Sequence, residues 1–394
     1  MGSKVSWIVF KKELMDIFRD KKTFILGILI PLIMFPVLSL VMGKSMDKTT
    51  KQVENNLKVA IVDNSGKSSL AEFIKTQKNI NLIQSDNIDE DVKSGKILAA
   101  LEIPRDFDGS IEKEILASLK ITYDNSSQAS QIAMNNLKGF IDAYSKGVVS
   151  QRLSKRNISG EILNPVNVEM KTSVKEEEGF GKFMLSLMLP LMLVIYSVAG
   201  PMGAAVDLGA GEKERGTLEP LLTTQAGRLS LLWGKFFAIT VMGLLTSVAS
   251  LAGLFIAMRQ EGGLFEGASG NIGTTIILLI GLVTLLLTMV FGALELAISI
   301  YARSFKEAQT YISPLMMISF VPTYATYMLD AKNIESFYFH IPLANVSCLL
   351  KEFISGIYNY SHIGITFGWI AVYIIGSVLF ARYMFSKETV IFRT

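Results

Sequence analysis

Long apolar stretches, each able to cross a lipid bilayer, constrain this chain more than any other feature of its sequence. Residues 23–43 contain no charged side chain. A helix of about 20 such residues spans the hydrocarbon core of a membrane. Five more stretches follow, at residues 183–206, 231–258, 272–300, 309–329 and 363–385. The pattern predicts a polytopic α-helical membrane protein with six transmembrane helices.

Composition supports this class and excludes several others. Half of the 394 residues are hydrophobic, the mean hydropathy is +0.40, and 19% are charged, against about 25% in soluble proteins. Cys348 is the single cysteine, which excludes an internal disulfide and a thiolate zinc site. Two histidines, His340 and His362, leave little room for a histidine-based centre, and a net charge of +3 gives no support for nucleic-acid binding.

Two apolar segments need separate interpretation. Residues 337–358 are interrupted by Pro342, Lys351 and Glu352, so we expect a re-entrant or interfacial helix pair before the sixth span. The first stretch, 23–43, follows basic residues as a signal peptide would. Its length exceeds the 7–15 residues of a signal-peptide core, and no convincing A-x-A cleavage site follows. We therefore interpret it as the first transmembrane helix.

Lysine and arginine in the short flanking segments predict the orientation, because cytoplasmic loops carry an excess of them. One side carries Lys4, Lys11, Lys12, Arg19, Lys21, Lys22, Lys213, Arg215, Arg228, Arg303, Lys306, Arg382, Lys387 and Arg393. The other side shows Arg259, Lys332 and Lys351. We expect a multi-pass protein of a bacterial-type plasma membrane, with both termini cytoplasmic and residues 44–182 extracellular.

The segment 44–182 has the composition of a soluble domain. Strand-like runs occur at residues 57–63, 80–85, 96–104, 119–124 and 167–171, with helix-like stretches between them and a long helical pattern over 126–156. These runs predict an extracellular α/β domain. The sequence from Asn64 to Ser68 ends like a phosphate-binding loop, but Ile61 stands where that motif needs glycine. We expect a strand-to-helix turn capped by Ser68.

Residues 1–22 predict an amphipathic helix on the inner membrane surface. Trp7, Phe10, Leu14, Ile17 and Phe18 share one helical face, whereas Lys11, Lys12, Glu13 and Asp16 lie elsewhere. A basic amphipathic helix of this kind lies in the plane of the membrane interface.

The cytoplasmic loop 207–230 is the one with both length and pattern. Thr217 is a candidate N-cap, with Glu219 in the first turn of a short helix. Leu218, Leu221 and Leu222 form an apolar face that we expect to be presented to water. Such a face is unfavourable unless a partner covers it, which predicts a cytoplasmic partner protein.

This loop resembles the signature of the type-2 ABC-transporter permease family. GEKERGTLEPLL, followed by GRLSLLWGK, is similar to the family's E-x-E-x-G-T-L-E-x-L-L pattern, and residues 301–315 resemble its stretch between spans four and five. Gln225 and Ala226 stand where many relatives have proline. The layout is similar over nearly the whole chain. The amino-acid sequence of the loop is most similar to that of the NatB branch, the permeases of sodium-extruding ABC exporters.

The resemblance implies half of an exporter. The chain has no Walker loop, so a separate, NatA-like cytoplasmic ATPase would bind ATP and Mg²⁺, and this chain would bind no cofactor. Two permeases and two ATPases would form the working unit. The loop would contact the ATPase through Glu212, Glu214, Arg215, Gly216, Thr217, Leu218, Glu219, Leu221, Leu222 and Arg228. The N-terminal helix, with Trp7, Phe10, Lys11 and Lys12, would contact the same subunit.

Other functions stay open at this point. An export permease for a drug, an antibiotic, a peptide or a lipid has the same layout. A membrane receptor would be consistent with the outer domain. A membrane enzyme is disfavoured because the sequence has no HExxH and no GxSxG motif.

Glu295 is the single acid in the fourth stretch. Acids within a membrane span usually face a bundle interior or a watery path. Ser299, Thr288 and Thr284 lie at helical distances from it and carry hydroxyl oxygens, which hard cations accept. We expect a cation path or gate here. The alternative is a structural ion pair of Glu295 with Arg303 or Lys235.

Overall fold

The computed structural model describes residues 2–163, 166, 171, 176–224, 226–268 and 273–391. The chain divides into two compact units, Met1–Met42 with Thr172–Thr394, and Gly43–Lys171. The first two helices are α1 (Gly2–Arg19) and α2 (Lys21–Asn55).

The smaller unit is built on a four-stranded sheet. Its strands are β1 (Leu57–Asp63), β2 (Ile80–Leu82), β3 (Ala99–Ile103) and β4 (Lys120–Tyr123), in the order β2-β1-β3-β4. β1 pairs in parallel with β2 and β3, and β4 is antiparallel to β3. The helices are α3 (Ser69–Lys75), α4 (Ile88–Lys93), α5 (Phe107–Glu112) and α6 (Gln128–Lys155). Along the chain, α3 connects β1 to β2 and α4 connects β2 to β3, because parallel strands need a crossover connection.

Local sequence signals place these elements. Four of the five strand-like runs form strands, and the fifth, 167–171, falls almost wholly outside the described residues. The capping role of Ser68 is confirmed: its hydroxyl accepts a hydrogen bond from the Ala71 N–H at 3.2 Å. Ser127 caps α6 in the same way, accepting from the Ser130 N–H at 3.3 Å. The α/β pattern is therefore readable from local capping and alternation alone.

The larger unit contains the remaining helices. They are α7 (Glu176–Val206), α8 (Glu212–Glu214), α9 (Leu218–Leu222), α10 (Arg228–Met258), α11 (Thr274–Tyr301), α12 (Phe305–Ala325), α13 (Ala344–Ile354), α14 (Tyr360–Ser386) and α15 (Glu388–Ile391). Helix α7 packs between α10 and α11, with α1 against α10 and α14 against α11. The centre of the unit is thus a packed helical bundle.

Five described helical segments are long and apolar enough to cross a membrane. They are Gly27–Asn55, Gly179–Glu214, Arg228–Met258, Thr274–Tyr301 and Tyr360–Ser386. They contain the second, third and sixth predicted stretches and most of the first and fourth. The fifth stretch, 309–329, lies mostly in α12, which contains Pro314 and Pro322 and several polar residues. A sixth crossing through α12 stays a prediction.

The segment 337–358 contains a single-turn 3₁₀ helix (Ser336–His340) followed by α13. All eleven residues of α13 are buried, including Asn345, Lys351 and Glu352. A helix enclosed on every side packs among the other helices, and it does not lie on a lipid surface.

Candidate functional site

The loop 207–230 begins as a direct continuation of α7. Residues Asp207–Gly211 form a π-helical turn, and α8 and α9 follow. A π-helical turn has wider backbone spacing than an α-helix. The Ser299 hydroxyl of α11 lies in this turn, accepting from the Ala210 N–H at 2.8 Å and donating to the Val206 carbonyl at 3.3 Å. Gly209 allows this approach, because an added Cβ would overlap the Ser299 side chain.

Gly216 ends α8 and redirects the chain into α9. Its φ is +67°, and its N–H donates to the Lys213 carbonyl at 3.0 Å, while the Thr217 N–H donates to the Glu212 carbonyl at 2.9 Å. This pair of bonds is the Schellman motif, whose left-handed position favours glycine. The glycine of the loop signature therefore has a backbone role.

The charged residues of the loop hold neighbouring helices. The Glu214 carboxylate accepts from the Phe305 N–H at 2.7 Å, at the start of α12, and Arg215 pairs with Asp207 at 2.7 Å. Lys213 was predicted to set the orientation but was not among the predicted contact residues. Its ammonium donates to the carbonyls of Ile300 (2.9 Å), Ala302 (3.2 Å) and Val390 (2.7 Å). The first two are carbonyls at the end of α11, where intrahelical partners run out, and the third belongs to α15.

A buried group of charges joins the loop to two other helices. Lys235 of α10 is fully buried and lies 3.2 Å from the Glu13 carboxylate of α1 and 2.7 Å from that of Glu212 in α8. Lys12 lies 3.1 Å from Glu13 and 3.3 Å from Glu212. We call Lys12, Glu13, Glu212 and Lys235 the charge cluster. Its two acids and two bases balance, which is the condition for burying charges at tolerable cost.

Lys12 is the exposed edge of the cluster. Partial burial opposes its charged form, but attraction to Glu13 and Glu212 outweighs that effect, so the pKa of Lys12 is raised. Lys12 therefore stays charged at physiological pH and holds α1 against α8.

The face of α1 that packs against the rest of the chain is offset from the apolar face predicted to lie on the membrane. Val9, Glu13 and Ile17, at intervals of four residues, are buried against the rest of the chain, whereas Trp7 is 65% exposed and Phe18 43% exposed. Glu13 can be buried because Lys235 supplies the opposite charge, which no local pattern reveals. Lys11 is exposed, and Trp7 and Phe10 line an apolar groove with Trp233 and Phe237.

The exposed leucine face predicted for α9 is also wrong in part. Leu218 is 2% exposed, and Leu221 packs against the apolar cluster that contains Leu208 and Leu231. The Thr217 hydroxyl donates to the Glu212 carbonyl at 3.2 Å and does not cap α9. The side chain of Leu222 lies outside the described ones. Among the described side chains of α9, those of Glu219 and Pro220 are exposed.

Arg228, assigned to the same loop, faces the end of the chain. Its guanidinium pairs with Glu388 at 2.9 Å and donates to the Ser386 carbonyl at 3.2 Å. A recess of about 810 Å³ lies between α1 and the loop. Its lining includes Asp16, Asp20, Asp207, Arg215, Thr217 and Pro220, together with Lys12, Glu13 and Glu212 of the charge cluster. The rim of this recess carries more acids than bases.

Glu295 lies one turn before Ser299 on α11 and is fully buried. Neither carboxylate oxygen has a hydrogen-bond partner among the residues that the structure describes. The alternative of a structural ion pair is wrong: Lys235 is held in the charge cluster, and no described salt bridge joins Glu295 to Arg303.

The hydroxyls predicted beside Glu295 have backbone partners. Thr288 donates to the Thr284 carbonyl at 2.9 Å, and Thr284 donates to the Ile280 carbonyl at 2.7 Å. Ser299 is bound at the π-helical turn. Within the described part of the chain, no three His, Cys, Asp or Glu residues are grouped as metal ligands. Glu295 is thus a single buried carboxylate in a helix surrounded by other helices.

Comparison with known proteins agrees with this architecture. A family model described as ABC-2 family transporter protein matches residues 21–383. The ABC transporter permease protein NatB of Bacillus subtilis (strain 168) is 31% identical over 385 residues, which covers 96% of this chain and 97% of the relative. The resemblance seen in the loop signature is confirmed. With its bundle of apolar helices and its signature loop, the chain belongs to the ABC-2 family of transporter proteins, as a permease.

Proposed function

We propose that this permease exports Na⁺ from the cell, with ATP hydrolysed by a separate, NatA-like cytoplasmic ATPase. Two copies of the permease and two of the ATPase form the working unit. Similarity to NatB over almost the full length of both chains supports this assignment. In this arrangement both termini and the loop 207–230 face the cytoplasm, and residues 44–182 are extracellular.

The proposed coupling between the ATPase and the membrane helices rests on the charge cluster. Glu212 belongs to the loop, Glu13 to α1 and Lys235 to α10, and Glu13 and Lys235 are 0% exposed. Separating any member would leave a buried charge without its partner, which is strongly unfavourable. The loop, α1 and α10 therefore move together when an ATPase displaces the loop.

The ATPase docks on the exposed parts of the loop and α1. Glu219 and Pro220 face water, and the lining of the recess between α1 and the loop holds five acids and two bases. Asp207 is paired with Arg215 and Asp16 with Lys12, and a basic side chain of the ATPase complements the excess of acids that is left. Leu218 is already buried by its own chain, so its role is to hold α9 in place.

The π-helical turn connects this motion to the membrane interior. Ser299 bonds to Val206 and Ala210 at the junction of α7 with the loop, and Glu295 lies one helical turn away on the same helix. A displacement of the loop thus reaches the turn of α11 that carries the unpartnered carboxylate. Breaks of this kind in a helix are common at functional sites.

Glu295 provides the negative charge for a cation in transit. An ionised carboxylate without partners is costly in an apolar interior and gains when a cation binds. The hydroxyl oxygen of Thr288, two turns earlier on α11, keeps a lone pair for a cation that moves along the same path. Carboxylate and hydroxyl oxygens are suitable ligands for a hard ion such as Na⁺.

The test is transport by the purified permease–ATPase complex in vesicles. With the ATPase side outward, ATP should drive uptake of radioactive Na⁺, and Na⁺ should stimulate ATP hydrolysis more than K⁺ does. A matched preparation with an inactive ATPase is the control. Stimulation by an amphiphilic drug, a peptide or a lipid, with no Na⁺ uptake, would replace sodium by that cargo. No ATP-dependent transport of any cargo would overturn the export function itself.

A further inference from the structure

A second buried pair of titratable groups lies at the end of the helical bundle far from the loop 207–230. His362 is in the first turn of α14 and Glu352 is near the end of α13. The imidazole Nδ1 lies 2.6 Å from the Glu352 Oε1, and the two side chains are 9% and 4% exposed. Neither residue belongs to the coupling loop or to the path through Glu295.

The surroundings fix the imidazole ring. Phe339 stacks on it with ring centroids 3.8 Å apart and an interplanar angle of 17°. On the other nitrogen, Nε2 lies 3.2 Å from the Ser336 hydroxyl and 3.4 Å from the Asn359 amide nitrogen. Both ring nitrogens therefore have polar neighbours, as an imidazole that exchanges protons requires.

Polar atoms continue from this pair along α13 and α14. Glu352 Oε2, Thr366 Oγ1 and Asn345 Nδ2 are buried and have no hydrogen-bond partner among the described residues. Thr366 follows His362 by one turn, and Asn345 precedes Glu352 by two turns. Buried polar groups without partners are rare in folded proteins and call for a water or an ion.

Three other titratable groups of the surrounding segments have hydrogen-bond partners of their own. Lys351 donates to the carbonyls of Thr326 (2.7 Å), Tyr327 and Leu329 (3.0 Å), at the end of α12. His340 is exposed and accepts from the Trp369 indole at 3.3 Å. Asp330 accepts from the Lys332 N–H at 3.1 Å. The packed helices also carry Lys182, Tyr196, Glu295, Cys348 and Tyr373.

We propose that Glu352 and His362 form a proton-binding site that couples export to the pH outside the cell. This inference rests on the proposed orientation and function. With one proton on the pair, the buried charges cancel. A second proton, or none, leaves a net charge that is unfavourable in a low-dielectric interior. Proton exchange with water therefore depends on how often this end of the bundle opens, and we infer that the transport cycle changes that frequency.

The first experiment observes the site without any cargo. The chain has two histidines, so His340→Gln in the ATPase-bound permease leaves one imidazole, which selective ¹⁵N-histidine NMR in lipid nanodiscs reports. We expect that signal to depend on pH, and Glu352→Gln to alter the dependence, since the imidazole loses its carboxylate neighbour. A signal that does not respond to pH, or the same response in the Glu352→Gln variant, would overturn the proposal.

The second experiment asks whether the site acts in transport. In vesicles, ATP-driven export should depend on the pH at the extracellular face, and His362→Gln should remove at least half of that dependence. His340→Gln, a change at the exposed histidine, should retain it. Equal pH profiles in all three proteins would disprove the coupling. The NMR result stands apart from cargo identity, so failure of sodium transport and failure of the proton site are distinguishable.

Discussion

The charge cluster and Glu295 are two ways of burying carboxylates in one bundle. Glu13 and Glu212 have Lys235 and Lys12 within 3.3 Å. Glu295 is equally buried but has no partner among the described residues. A neutralised group contributes rigidity, because breaking it exposes unpaired charge to an apolar interior. An unpartnered carboxylate contributes binding capacity, because a cation relieves its desolvation. We therefore assign force transmission to the charge cluster and ligand contact to Glu295.

Removing the central cation should produce the largest effect. Lys235→Met leaves Glu13 and Glu212 facing each other with only Lys12 nearby, so we expect a loss of about 3–5 kcal/mol in unfolding free energy. Thermal unfolding of the permease in detergent measures it. The triple variant Glu13→Gln, Glu212→Gln, Lys235→Met removes the charges together and should recover most of the stability. If Lys235→Met alone is as stable as the unmodified protein, the cluster is not a structural unit.

Neighbouring loop positions separate packing from docking. Leu218→Ala empties a buried site and should cost about 2–5 kcal/mol in stability. Glu219→Lys alters an exposed position, so stability should change by less than about 0.5 kcal/mol. It should nevertheless weaken co-purification of the ATPase. Retention of the ATPase at unmodified levels by Glu219→Lys would remove α9 from the docking surface.

Neutralising the unpartnered acid should affect ion dependence more than stability. Glu295→Gln keeps the shape and removes a charge that has no described partner. We expect stability to be unchanged or higher, and Na⁺-stimulated ATP hydrolysis to fall at least about tenfold, equivalent to about 1.4 kcal/mol. Glu335→Gln, at an exposed position, is the control. Full Na⁺ stimulation in Glu295→Gln would contradict the cation path.

The smallest effect concerns the turn that aims the loop at the ATPase. Gly216 has a φ of +67° and open space around its α-carbon. Gly216→Ala should therefore cost about 1 kcal/mol from backbone strain alone. Gly216→Asn should cost less, because asparagine tolerates this conformation better than alanine. Differential unfolding of the two variants measures the difference, and equal losses would argue against a conformational cause.

Sequence patterns correctly predicted the elements that depend on residues close together in the chain. The apolar stretches have a length that only a bilayer or a large core accommodates, and five of the six lie in suitable helices. Ser68 caps α3 because its own hydroxyl reaches the first turn. The loop signature identified the family because its glycine and charged residues are close in sequence, and the family comparison agrees.

Tertiary structure alone decided which charges and leucines are covered. Glu13 and Lys235 are 222 positions apart, and nothing in the periodicity of α1 shows that its inward face contains an acid. Ser299 is bound to the π-helical turn because its partners, Val206 and Ala210, lie outside its own helix. A sequence period reports which residues share a face of one helix. What that face meets depends on packing between distant segments, which sets the pairing of Glu13, Glu212 and Lys235.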